Sequence, residues 1–214
     1  MGLLDAIFAP SDSLKPVSPP VGRYLHMMRE SKTTLVMKES LLSISGDGFN
    51  IVNAETNETL MTCSGKIFSF HDCKKIYGAE GTMLYNMADK KMSLGQAFVV
   101  EDAEVSDVLA IKKKWSLGSK LVADSYQDGK ESQISLSGDF WGGSANIHDQ
   151  SGNALAHISC DMINVNEVVA DQQTYCVTVA PGVDLALIAC MCIAFDETKN
   201  EADREEEDEQ DKDD

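Results

Sequence analysis

The stretch Val183-Asp184-Leu185-Ala186-Leu187-Ile188-Ala189-Cys190-Met191-Cys192-Ile193-Ala194-Phe195 decides the fold. It has almost no polar side, so it belongs either in a membrane or in the middle of a soluble protein. As a helix it would be about 20 Å long, well short of the roughly 30 Å hydrocarbon layer that a spanning helix must cross. Asp184 falls in its first turn, where a carboxylate suits a helix N-terminus and would be costly in lipid. Pro181-Gly182 reads as a start signal, and Asp196-Glu197 closes the run. A helix apolar all round is buried on every side. The stretch is therefore expected to be an internal rod. Its large residues Leu185, Leu187, Ile188, Met191 and Ile193 stand among the small Ala186, Ala189, Cys190 and Ala194, which let neighbouring side chains interdigitate at close range.

What surrounds the rod is written in the preceding sequence. Short apolar runs broken by Gly, Asn and Asp every ten residues or so give the rhythm of an all-β domain. Gln133-Ile134-Ser135-Leu136-Ser137-Gly138 and Tyr175-Cys176-Val177-Thr178-Val179 alternate with period two, as half-buried strands do. Three segments resemble copies of one hairpin. In Ile147–Ile158 a strand reaches Asp149, turns through Gly152 and returns. Ile76–Tyr85 repeats the spacing with Gly78 in the Asp position, and Ile51–Leu60 repeats it with Asn53 there and Thr56-Asn57 in place of the glycine. Asp and Asn suit the first place because their side chains bond turn amides, while Gly or Asn suits the later one because it tolerates positive φ. Asp128-Gly129 adds a further tight turn. Many hairpins leave sheet edges to hide, and closure into a barrel hides them all. A barrel that wide needs its interior filled, and the apolar rod is the available filling.

With 214 residues the chain suits one well-buried core. Its expected organisation is a flexible segment over residues 1–18, a barrel domain over 19–197 and a disordered acidic tail over 198–214. Ser11–Pro20, with Pro16, Pro19 and Pro20, reads as an extended entry strap. The formal charge is -17, and the stretch from Asp196 to Asp214 holds twelve acidic and three basic residues. Such a field repels nucleic acids and anionic bilayers at long range unless basic residues gather locally, so generic nucleic-acid binding is not expected. The beginning, MGLLDAIFAPSDSLKPVSPP, carries no basic region followed by an apolar one, which argues against secretion. Ala6 stands where a myristoylation start would have Ser or Thr. The expected location is cytoplasmic, with peripheral membrane or nuclear placement as alternatives. Cys63, Cys73, Cys160, Cys176, Cys190 and Cys192 then read as reduced thiols, and no Cys-x-x-Cys pair occurs.

Val179-Ala180-Pro181-Gly182-Val183-Asp184-Leu185-Ala186-Leu187-Ile188 resembles the closing motif of the LURP-one-related proteins. Leu35–Glu39 with Gly46–Phe49, Gly65–Phe70 and Ile111–Trp115 fit the same family in the same order. The resemblance runs from about Pro19 to Glu197. It implies a tubby-like fold, a closed antiparallel barrel of about twelve strands around a central hydrophobic C-terminal helix, shared with phospholipid scramblases. Gly78 and Asn53 depart from the Asp that relatives tend to carry. The family has no established enzymatic activity, so the resemblance implies a non-enzymatic binding or adaptor module, one kind of which engages phosphoinositide or anionic lipid headgroups at a membrane surface. A scramblase-like lipid-transport protein is the alternative, and a thiol-dependent hydrolase is a third.

Candidate sites are few. Lys112-Lys113-Lys114-Trp115 is the main basic cluster, and on a strand Lys112 and Lys114 share one face, with Lys120 nearby. These three lysines are the expected headgroup contacts, against the plainer reading of solvated strand residues that discourage edge pairing. His71-Asp72-Cys73 holds the parts of a thiol catalyst, but adjacent strand residues point to opposite faces, so Asp72 could not orient His71. His148 and His157 flank a hairpin and could face each other as half of a metal site; two ligands are too few for zinc. No cofactor or metal is expected. The acidic tail offers a surface for a basic partner protein, or only solubility.

Overall fold

The computed structural model describes residues 14–40, 48–65, 73–92, 95–113, 120–127, 130–139, 144–159 and 174–197. Its strands are β1 (Thr33–Ser40), β2 (Gly48–Asn53), β3 (Thr59–Gly65), β4 (Cys73–Gly78), β5 (Met83–Met92), β6 (Gly95–Asp102), β7 (Asp107–Lys113), β8 (Lys120–Gln127), β9 (Lys130–Asp139), β10 (Ser144–Asp149), β11 (Ala154–Ser159) and β12 (Thr174–Val179). Each pairs antiparallel with its sequence neighbours, and β1 pairs with β12, Leu35 opposite Val177, so the sheet closes on itself. A single α-helix among the described residues, α1 (residues 185–197), runs through the middle. Leu187, Ile188, Met191 and Ile193 are fully buried in it, and Leu185 is all but so. Inward side chains such as Leu35, Ile51, Ile76, Leu109, Leu136 and Val177 pack with them as one core. The rod is sealed by strands on every side, as its lack of a polar face requires.

The chain enters α1 at the end of the barrel formed by the β2–β3, β4–β5, β6–β7 and β10–β11 turns, and leaves at the opposite end. At the entry end the three hairpins read from sequence are present. Asn53 and Asp149 accept turn amides through Oδ1, from Glu55 and Thr56 and from Ser151 and Asn153 respectively. Asn57, Gly81 and Gly152 take the positive φ. A fourth copy was not expected: Asp102 Oδ1 accepts the Glu104 and Ser106 amides, and Val105 takes φ +63°. A β-branched residue there is strained, and it hid the turn from a reading keyed to Gly and Asn. Gln127 pairs with Lys130 across the β8–β9 connection, whose Asp128-Gly129 lies outside the described residues.

Each of the four hairpins also carries a register shift, at Ile51/Val52, Ile76/Tyr77, Val100/Glu101 and Ile147/His148. The returning strand has one extra residue at each: Leu60, Leu84, Val108 and Leu155. A bulge breaks the alternation locally, so Leu84-Tyr85, Val108-Leu109 and Leu155-Ala156 are buried as consecutive pairs. Carbonyls around the bulges bond elsewhere: Leu84 O accepts the Tyr24 hydroxyl and Leu155 O the Ala180 amide. The bulges thus close the entry end with extra apolar side chains.

The strap lies across this end. Val17 N bonds Pro181 O, Val21 N bonds Gly182 O, and Asp184 N bonds Val21 O. Leu14 is buried and Val17 packs against the core. Two glycines permit the approach. A Cβ on Gly22 would sit 2.1 Å from Asp184 Cβ, and one on Gly182 would sit 2.6 Å from Val17 O. On the outer face of β12, Cys176 is buried beside Val36 and Val52 in a small second cluster, while Thr178 on the same face is half-buried.

Candidate functional site: the two ends of the barrel

At the entry end the chemistry converges on Asp184. It stands just before α1, as the N-cap rather than inside the first turn, with Oδ1 accepting the Ala186 and Leu187 amides at 2.9 and 3.3 Å. Its Oδ2 accepts the Arg23 and Tyr24 amides at 3.1 and 3.0 Å and the Tyr85 hydroxyl at 2.8 Å. Burial raises this carboxyl above its ordinary value, while the Tyr24, Tyr85, Ala186 and Leu187 hydrogen bonds pull the other way. Burial, then the neighbouring Asp184, pushes the Tyr85 phenol far up, so it stays protonated and donates. Around this knot Arg23 Nε bonds Asp102 Oδ2 at 3.0 Å, and the Tyr24 and Tyr85 rings meet edge-on at 5.0 Å. Every oxygen of Asp184 is used by the fold, which makes it a structural tie with no lone pair to spare for a ligand.

The exit end differs in charge. The exit-side halves of the strands carry Lys38 on β1, Lys74 and Lys75 on β4, Lys90 and Lys91 on β5, Lys112 and Lys113 on β7, and Lys120 at the start of β8. Acidic residues there are Glu39, Asp89 and Asp139 on the strands and Asp196 and Glu197 at the end of α1. The entry-side turns carry Glu55, Glu58, Glu80, Glu104 and Asp149, while Arg23, Arg29, Lys32 and Lys130 are the cations described at that end. The described barrel is therefore polarised along the axis of α1. Lys74 points inward at the exit, its Nζ 2.6 Å from Glu197 Oε1 in the last turn of α1 and 5.9 Å from the centre of the Phe49 ring.

Among the expected headgroup contacts, Lys112 is exposed and faces outward, 3.3 Å from Asp124 Oδ2, while Asp124 Oδ1 accepts from Gln133. Lys120 opens β8 opposite Ser137, near the same end. Lys114, with Trp115, lies outside the described residues. Sequence reasoning missed Lys38, Lys74, Lys75, Lys90 and Lys91. They join Lys112 only once strand direction is known, although the lysines following β4 Cys73 and in Asp89-Lys90-Lys91 were visible as pairs.

The thiol and imidazole candidates disperse. His71 and Asp72 lie outside the described residues, and Cys73 is half-buried. Burial raises the Cys190 and Cys192 thiols, Cys63 adding to the first and Asp196 to the second, so neither is an available thiolate. The β10–β11 register sets His157 opposite Asn146 and His148 opposite Ala154. The register thus keeps apart the two rings that could have faced each other, and His157 Nδ1 meets Asn146 Oδ1 at 2.9 Å instead. Among the described residues no group of three or more His, Cys, Asp or Glu could hold a metal. Burial lowers both histidines. The folded state then binds fewer protons than the unfolded one near pH 6.5, so their contribution to stability is present above that pH and is lost as pH falls through the lowered folded values. Unfolding midpoints are expected to drop between pH 7 and 5, and His148→Gln with His157→Gln should flatten that slope; an unchanged slope would assign it to other groups.

A closed antiparallel barrel with a captive helix and a charge-polarised surface is the class these features define. The LURP-one-related family model matches residues 33–196, and the chain belongs to that family. The crystal structure of a protein from Arabidopsis thaliana is similar at 14% identity, covering 81% of this chain and 95% of that one with a TM-score of 0.59. That likeness is one of fold. No curated protein matches the chain significantly in sequence. No described helix is long and apolar enough to cross a membrane.

Proposed function

We propose that this LURP-one-related barrel is a non-enzymatic binding module that receives an anionic ligand, a phosphoinositide headgroup in the first instance, at the lysine-bearing exit end. The observation that carries the reading is the axial separation of charge. A protein of net charge -17 repels an anionic surface at a distance, so only a local concentration of cations lets one face approach. The exit end supplies one, with the acidic turns held at the far end. The saturated Asp184 and the buried Cys190 and Cys192 supply no nucleophile or general base, which favours binding over catalysis.

Cosedimentation with phosphatidylcholine vesicles, with and without phosphoinositide, tests this at low salt. Each lysine near such a surface contributes about 1 kcal/mol, so Lys75→Glu, Lys112→Glu and Lys120→Glu together should weaken binding more than about tenfold. Lys130→Glu at the entry end should leave it unchanged. Equal binding by the triple variant and the parent chain would remove the exit end from consideration. The scramblase-like alternative needs α1 to leave the barrel and enter lipid, against the full burial of Leu187, Ile188 and Met191 among strand side chains.

A further inference from the structure

The large apolar side chains most open to water among the described residues both stand at the entry end: Leu25 in the strap and Val105 in the β6–β7 turn, each 74% exposed. The two segments that carry them are laced together. Arg23 Nε meets Asp102 Oδ2 at 3.0 Å, and the Tyr24 hydroxyl accepts the Ala103 amide at 3.2 Å while donating to Leu84 O. Leu25 opens a single 3-10 turn (Leu25–Met27) in which Met27 is buried, and Met28 N closes the turn on Leu25 O. The backbone of Leu25 is therefore fixed while its side chain points out. Val105 is held outward against its own preference. It takes φ +63°, where the other three hairpins place Asn57, Gly81 and Gly152 in the positive-φ region. Asn or Gly would relieve that strain and give up little packing, since the valine side chain is exposed. Stability of the fold thus gives no reason for a valine here, whereas an apolar contact does.

The surroundings of the pair select what it contacts. Glu80 in the β4–β5 turn and Glu104 and Asp107 on either side of Val105 are exposed carboxylates. The arginines of the strap are engaged, Arg23 by Asp102 and Arg29 by the His26 and Met28 carbonyls. An anionic bilayer, or a second copy of this chain at net charge -17, would meet those carboxylates with like charge. We propose that Leu25 and Val105 form a docking site for a protein partner whose contact segment presents an apolar side chain flanked by lysine or arginine. The apolar pair is the anchor, and the carboxylates steer the approach. Protein recognition then lies at the end of the barrel opposite the lysine-bearing one, and it does not depend on the anionic-ligand reading of that end.

Selection of a random peptide library displayed on phage against the immobilised full chain tests the site. Enriched peptides should carry an aromatic or aliphatic residue flanked by Lys or Arg. Made synthetically, they should bind the Leu25→Ser, Val105→Asn double variant more than about tenfold more weakly than the parent chain. Glu80→Gln with Glu104→Gln should slow their association and flatten its salt dependence. Val105→Asn alone should not lower the unfolding midpoint; a fall would show that the valine packs on the body and would overturn its part as an anchor. No enrichment, enrichment of acidic peptides, or equal binding to the double variant would overturn the docking site. The double variant also distinguishes other occupants. If the parent chain dimerises in sedimentation velocity and the double variant does not, the pair belongs to a contact between copies. If the parent chain binds phosphatidylcholine vesicles and the double variant does not, it belongs to a bilayer contact. Either result overturns the protein partner.

Discussion

Replacing Asp184 by alanine is expected to lower the unfolding free energy by about 4 kcal/mol, the sum of a lost helix cap and of donors left without an acceptor. The carboxylate is fully buried and takes five hydrogen bonds from three parts of the chain: the first turn of α1, the strap at Arg23 and Tyr24, and Tyr85 on β5. The cap alone accounts for about 1 kcal/mol. The larger share comes from the Arg23 and Tyr24 amides and the Tyr85 hydroxyl, since an unsatisfied buried donor costs about 1–3 kcal/mol. Tyr85→Phe removes a single bond and leaves the carboxylate with four others, so it should cost about 1 kcal/mol. Asp184→Asn should fall close to alanine despite its matching shape. Its Oδ1 can still cap α1, but its amide then faces the Arg23 and Tyr24 N–H groups, donor against donor. Urea titration gives the ranking directly from the midpoints at constant slope. Equal midpoints for Asp184→Ala and Tyr85→Phe would mean that the strap does not depend on this residue. Loss of the tie should also free residues 14–24 for proteolysis before the barrel itself unfolds.

The parts of this architecture that the sequence shows are those with a local signature. The rod is legible because every face of residues 185–195 is apolar and the run is too short for a bilayer. Three hairpins are legible because Asn53, Gly78 and Asp149 each precede a residue that tolerates positive φ. The fourth fails that test at Val105, where the Asp102 side chain, itself clamped by Arg23, sets the turn against the preference of the residue that occupies it. The bulges are harder to read. Leu84-Tyr85 and Val108-Leu109 look like breaks in a strand pattern until the neighbouring register shows both side chains turned inward. Asp184 was visible as a helix start, yet three of its five donors come from a strap and a strand remote in sequence, two of them main-chain amides that carry no residue preference. The charge polarity is hidden for a related reason. Lys38, Lys75, Lys90 and Lys112 are scattered along the chain, and only the alternation of strand direction brings them to one end. The reading that named Lys112, Lys114 and Lys120 found two of the lysines described at that end and could not weigh Lys112, because Asp124 offsets it from the adjacent strand.

Ala189→Asp is expected to abolish cooperative folding. Ala189 sits at the middle of α1 with no exposure, and the buried charged groups among the described residues lie toward the ends: Asp184 and Asp102 at the entry, Lys74 and Asp196 at the exit. A carboxylate placed between them has no buried counter-charge beside it among the described residues. Stranding an unpaired charge there costs several kcal/mol even after relaxation, a large part of the roughly 5–15 kcal/mol that holds a domain of this kind together. Burial also favours the neutral acid. The variant should therefore recover some structure at low pH, and loss of the near-ultraviolet circular dichroism should be partial at pH 4 and complete at pH 7. Ala189→Leu separates a sealed rod from a helix facing lipid. In lipid the added methylenes would be neutral or favourable. Inside a barrel whose strands pack on every side they force side chains off their rotamers, at about 1–3 kcal/mol. Tyr126→Asp, on the outer wall at 38% exposure, is the matched control and should shift the midpoint by less than about 0.5 kcal/mol. If Ala189→Asp unfolded at the parent midpoint, α1 would have access to water or to a counter-charge that the sealed barrel does not contain. The lysine end could not then be treated as the outer surface of a rigid scaffold.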